Sequence, residues 1–139
     1  MKSEQFYEEY KGIFKYYDYN YERYGMSFSV VVIRLNEELI TLDIDFEPII
    51  RYSDKHLKID KYHHFFLYLG TNIKTAFQAV LNLEKNLLTR YNLYHLDNIF
   101  QGAVVSKEKD RNIKDMIQKC FKLIKECEKD KNIITEDDL

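Results

Sequence analysis

The side chains in this sequence with chemistry to offer are four histidines, two cysteines and a scatter of carboxylates. Their spacing decides which of them could act together. His56, His63 and His64 crowd into one short segment, and imidazole is the commonest metal ligand. Consecutive strand residues point to opposite faces, so on a strand His63 and His64 cannot chelate one ion, and the three read as polar hairpin residues. Asp43 and Asp45 would share a face of a strand as a carboxylate pair. With no third ligand or base beside them they read as a solvated strand face. Cys120 and Cys127 lie two helical turns apart, roughly 10 Å, which is beyond the reach of a disulfide. They read as reduced, partly buried thiols suited to a cytoplasmic protein. No histidine stands near Cys120 in sequence to make it a nucleophile.

Positioning these residues falls to a set of elements that the hydrophobic pattern outlines. Phe6, Tyr10, Phe14 and Tyr17 recur at helical spacing within residues 4–24, and Gly25 is a natural stop. That aromatic stripe reads as a core or dimer face rather than a ligand platform. Phe28 to Ile33 is a β-branched run, the mark of a buried strand. Residues 36–50 fit both a helical face (Leu39, Leu42, Phe46, Ile49) and a strand alternation (Ile40, Leu42, Ile44, Phe46), and Pro48 argues against one long helix. A hairpin is expected over about 57–69, turning near Asp60-Lys61 and closed by Gly70. A helix over about 72–90 follows, capped by Thr71. A strand over 99–105 comes next, then a helix over about 112–128 capped by Asp110 or Asn112, and a short edge strand over 132–135. Such alternation predicts an α/β (α+β) fold with a single mixed, mostly antiparallel sheet and flanking helices.

With 139 residues and a single proline, the chain reads as one domain over 1–139. A net charge of −2 removes the electrostatic case for nucleic acid or an anionic membrane as partner. No stretch approaches the ~20 apolar residues of a membrane span, and the start of the chain turns acidic at once, unlike a signal peptide. The expectation is a soluble, cytoplasmic protein.

Several local phrases, in order, resemble the GGDEF (diguanylate cyclase) family across most of the chain. Glu22-Arg23-Tyr24-Gly25 before the strand from Ser27 to Leu35 resembles the family's opening. Arg51-Tyr52-Ser53-Asp54 resembles its RxxD motif, Gly102 falls where a later strand carries its glycine, and Lys131-Asn132 falls where the last helix ends. The resemblance implies a nucleotide-cyclase-like sheet shortened between the first strand and the hairpin, where about twenty residues that would contact guanine are missing. It also implies lost catalysis. Magnesium wants hard oxygen ligands, yet Arg34, Leu35 and Asn36 stand where the first acidic ligand belongs. The family's five-residue signature aligns with Asp60-Lys61-Tyr62-His63-His64, or one position later ending in Phe65, and Lys61 and Tyr62 put bulk where its glycines would let the backbone approach the nucleotide.

What the resemblance leaves is a degenerate, catalytically inactive signalling domain without cofactors or catalytic residues. It would act as an interaction or dimerisation module for another protein or a second copy of itself. The alternative is a receptor for cyclic di-GMP through Arg51 and Asp54. There the guanidinium fork would grip phosphate or a guanine edge and the carboxylate would accept from guanine nitrogens. Both residues should then emerge on one exposed edge just before the hairpin. Burial of either favours the module.

Overall fold

The computed structural model describes residues 2–108, 110–127 and 132–136. The opening aromatic stretch forms two helices rather than one, α1 (Ser3–Glu9) and α2 (Lys11–Tyr24). The break falls at Tyr10, whose φ and ψ of −115° and 24° leave the helical region. Packing explains it. In one straight helix Phe6 and Phe14 would stand about 12 Å apart along the axis, whereas here their rings meet at 5.6 Å and both rest on Phe65, at 4.9 and 5.6 Å. Phe6, Phe14 and Tyr17 are buried, so the stripe is core.

Gly25 ends α2 in the left-handed conformation, φ 67°, as a helix stop requires. Gly25→Ala is expected to lower stability by about 1 kcal/mol, read as a shift in the urea midpoint. No change would mean the chain leaves the helix another way.

Among the described residues the sheet has five strands: β1 (Phe28–Leu35), β2 (Lys55–Lys58), β3 (His63–Leu69), β4 (Phe100–Ser106) and β5 (Ile133–Thr135). Their order is β2-β3-β1-β4-β5, antiparallel throughout except for the β4–β5 pair. β1 is central and buried along nearly its whole length because helices cover both faces. Its alternate residues Phe28, Val30 and Val32 face α1, α2 and α4 (Ile113–Glu126), and Val31, Ile33 and Leu35 face α3 (Ile73–Tyr91).

Residues 36–50 are neither of the two regular elements that their pattern allowed. They hold two single 3-10 turns, Glu37–Leu39 and Glu47–Ile49, and wrap the α3 side with Leu39 and Phe46 buried. Ile40, Ile44 and Ile49 pack partly buried against the same core while Leu42, common to both patterns, stays exposed, so an irregular segment lying on the sheet serves most of the apolar positions of either pattern. Thr71 does not cap α3. Its hydroxyl donates to Ser29 Oγ or Tyr68 O, at 2.8 Å each, inside the core, while Asn72 accepts from Thr75 N at 2.9 Å as the cap. α4 is capped by Asn112 rather than Asp110, and Asp18 of α2 also accepts from Ile113 N at 3.0 Å. Residue 128, the expected end of that helix, lies outside the described residues.

Candidate functional site

The Arg51–Asp54 pair sits in the turn that leads into β2, where Asp54 N donates to the Arg51 carbonyl at 2.9 Å. The turn brings the two side chains together, and they engage each other. Arg51 Nε donates to Asp54 Oδ2 at 2.9 Å and Arg51 Nη2 to Oδ1 at 2.8 Å, a bidentate fork. The same Nη2 donates to the Leu69 carbonyl at 2.7 Å, tying the turn to the end of β3. The Asp54 side chain is 1% exposed and that of Arg51 56%. The carboxylate also accepts from Arg51 N at 3.2 Å and from Leu69 N at 3.4 Å. Hydrogen bonding to that carboxylate raises the Arg51 guanidinium further above its ordinary value, against a smaller opposing effect of burial. The expected exposed edge is therefore not what forms: Asp54 turns inward, because its oxygens satisfy backbone N–H groups that the turn would otherwise bury unpaired.

Such a clasp has a stability signature. Arg51→Ala leaves a buried carboxylate with only backbone donors, and is expected to cost about 2 kcal/mol after allowance for the arginine's exposure. A urea-midpoint change equivalent to under about 0.5 kcal/mol would class the pair with inconsequential surface bridges.

At the end of β1, Arg34 reaches across the α4 face of the sheet. Its guanidinium donates to Gln101 Oε1 and, at 3.3 Å, to the Ile124 carbonyl, one of the last of α4. Asn36 Nδ2 donates to the Asn98 carbonyl at 2.9 Å. In the hairpin turn, Asp60 Oδ1 accepts from Tyr62 N, His63 N and His63 Nδ1 at 2.8–2.9 Å. Burial alone would raise the Asp60 carboxyl, but these hydrogen bonds outweigh it and hold it below its ordinary range. The exposed Lys61 occupies the tip of this turn, its ammonium 5.2 Å from the Tyr62 ring.

His63 and His64 do point to opposite faces. What spacing alone missed is the partner of His64. Pairing of Lys58 with His64 and of His56 with Phe66 places His56 and His64 diagonally on one face. His56 Nε2 lies 2.8 Å from His64 Nδ1, with the rings stacked at 5.0 Å under Phe46, which meets them at 4.7 and 4.8 Å. Burial pushes both imidazoles down to about 4. The signal was available in the hairpin register, since residues 56 and 64 flank the turn with the same parity.

The carboxylates Asp43 and Asp45 lie in the irregular 36–50 segment, exposed, rather than on a strand. Asp45 accepts from Glu47 N at 3.2 Å. Cys120 is fully buried with Sγ 3.2 Å from the Ala103 carbonyl, and burial drives its thiol well above the ordinary value. Among the described residues, no group of three or more His, Cys, Asp or Glu side chains is placed to hold a metal ion. No described helix is long and apolar enough to cross a membrane. Neither family models nor curated proteins include a match to this chain.

Proposed function

We propose that this chain is a non-enzymatic, GGDEF-like interaction module of the cell interior, engaging another protein or a second copy of itself. The observation that carries the reading is the inward Arg51–Asp54 clasp. A motif that would serve a ligand has its aspartate buried and its fork closed on an internal partner, so binding cyclic di-GMP there would require breaking the pair. Further support comes from Arg34, the next-to-last residue of β1, hydrogen-bonded to Gln101 and the Ile124 carbonyl where the family's reaction needs an acidic metal ligand. The connection over 36–54 carries two single 3-10 turns in place of nucleotide-contacting helices.

A surface suited to a protein partner lies at the C-terminal end of α2. Tyr16, Tyr19, Tyr24 and Met26 are 41–63% exposed, and the Arg23 guanidinium lies 6.0 and 5.7 Å from the Tyr19 and Tyr24 rings. Tyrosine and arginine are the residues that dominate interface energetics.

The test is calorimetry with cyclic di-GMP at submillimolar concentration, beside an assay of GTP turnover with Mg²⁺ or Mn²⁺. No heat and no product are expected. Binding weakened about tenfold or more by Arg51→Ala would replace the module with the receptor, and turnover above the no-enzyme control would replace it with an enzyme. On the module reading, Tyr19→Glu with Tyr24→Glu should abolish self-association in sedimentation, or capture of the partner, without altering the urea midpoint.

A further inference from the structure

On the α4 side of the sheet the apolar face stops abruptly. Along β1 the residues facing α4 are Phe28, Val30 and Val32, and the next position of the same parity is Arg34. Its cross-strand neighbours are His63 on β3 and Gln101 on β4. A polar row of His63, Arg34 and Gln101 thus crosses three strands where a core layer would be expected.

Arg34 and His63 line a trough of about 1070 Å³ between the start of α1, the β2–β3 hairpin and the outer side of α4. That is the size of a small-molecule site. Val32, Ile59 and Phe121 make part of it apolar. Lys122 and Lys125, exposed on successive turns of α4, and Lys2 at the start of α1 supply cations. Glu4, Asp60 and Glu126 also lie along it as anions, three against the four cations Lys2, Arg34, Lys122 and Lys125, and the Asp60 Oδ1 is turned to His63 and two backbone N–H groups. Among the described residues Arg34 uses two of its five N–H donors, on Gln101 and Ile124. Those two bonds fix the guanidinium at the trough and leave donors over.

We propose that this trough binds a small amphipathic anion. Its phosphate or carboxylate head meets Arg34 and the α4 lysines, and its hydrocarbon or aromatic body lies on Val32, Ile59 and Phe121. The row of cations supplies the head's charge partners, and the apolar strip beside it excludes a purely polar ion as the best ligand. The site is independent of the Arg51–Asp54 clasp, at the opposite end of the β2–β3 hairpin.

Anilinonaphthalene sulfonate, which joins an anion to aromatic rings, is the probe, with uncharged phenylnaphthylamine as its control. The expected result is saturable fluorescence at one site per chain, amide shifts at Val32, Ile59 and Phe121, and binding of the neutral probe at least about tenfold weaker, the worth of a charged hydrogen bond. Dodecyl phosphate should displace the probe, and inorganic phosphate should not. Vesicles of anionic phospholipid that displace it equally well would assign the head to a membrane lipid, whereas displacement by the free amphiphile alone would assign a soluble one. Arg34→Gln should weaken binding about tenfold. Since that change also removes contacts to Gln101 and α4, Lys122→Glu with Lys125→Glu, both exposed, provides a second arm and should weaken binding at unchanged urea midpoint. Absence of saturable binding, equal binding of the neutral probe, or indifference to the lysine pair overturns the proposal.

Discussion

Phe65→Ala is expected to remove about 3–5 kcal/mol of stability, the usual cost of truncating a fully buried phenylalanine. The ring is wholly buried and lies under both Phe6 and Phe14. It is therefore the point at which α1 and α2, broken at Tyr10, both attach to the sheet. Truncation leaves a void that the two helices cannot close together, because each meets the ring from its own direction. Against a typical total of about 5–15 kcal/mol, such a loss would leave the domain marginal. Urea unfolding measures it, with an unchanged slope showing that the midpoint shift reports stability. Tyr16→Ala, on α2 with Phe14 but 63% exposed, should stay within about 0.5 kcal/mol. A loss at Phe65 below about 1 kcal/mol would mean that the opening helices do not rest on the sheet.

The same ring marks the limit of what was legible in the sequence. Helical spacing placed Phe6, Phe14 and Tyr17 on one apolar face, and they are buried. Nothing in that spacing signals the break at Tyr10, which arises from a contact with a strand some fifty residues away. Strands β1, β3 and β4 were readable by unbroken apolar runs, and α3 and α4 by their helical period. Residues 36–50 were not, since a segment that lies irregularly on a sheet buries Leu39 and Phe46 and leaves Leu42 exposed with no period at all. Thr71 and Asn72 both have capping chemistry, and the choice between them was made by Ser29 and Tyr68, which bury the threonine.

Sites divide in the same way. That Arg51 and Asp54 could reach each other follows from their spacing, but that they close on each other depends on the turn and on the Leu69 backbone beside it. Arg34 stood out as a cation at the end of an apolar strand, yet the polar row with His63 and Gln101 exists only through strand register. The trough needs α1 and α4 as its walls, two elements at opposite ends of the sequence.

Acid should weaken the fold through His56 and His64. Both imidazoles sit at about 4 in the folded chain, against 6.5 in the unfolded one. The folded state thus holds them neutral. Above about pH 6.5 neither state binds the proton and the pair contributes its full stability. As pH falls from there towards 4, the unfolded chain takes up protons that the native state refuses, and stability is lost across that window. Burial is the main cause for both. Asp45 opposes it at His56 and Asp60 at His64, while Lys58 adds to it at both and His63 at His64. Geometry sharpens the effect. One imidazole must accept the hydrogen bond that the other donates across 2.8 Å, and two imidazolium rings offer no acceptor. At ~1.4 kcal/mol per pH unit, full realisation would be about 3.5 kcal/mol per ring. Partial solvent contact lowers this, so about 3 kcal/mol for the pair is the expected loss between about pH 6.5 and 4. Carboxylates also titrate at low pH, so the comparison is with His56→Leu plus His64→Leu, whose stability should fall less steeply over the same range. Phe46 rests on both rings, so near pH 5 the amides over 36–50 should be less protected, relative to their intrinsic exchange at that pH, in the wild type than in the double variant. Parallel stability profiles for the two proteins would show that the stacked pair opens to water at no cost, and that the packing of Phe46 over it does not depend on its charge.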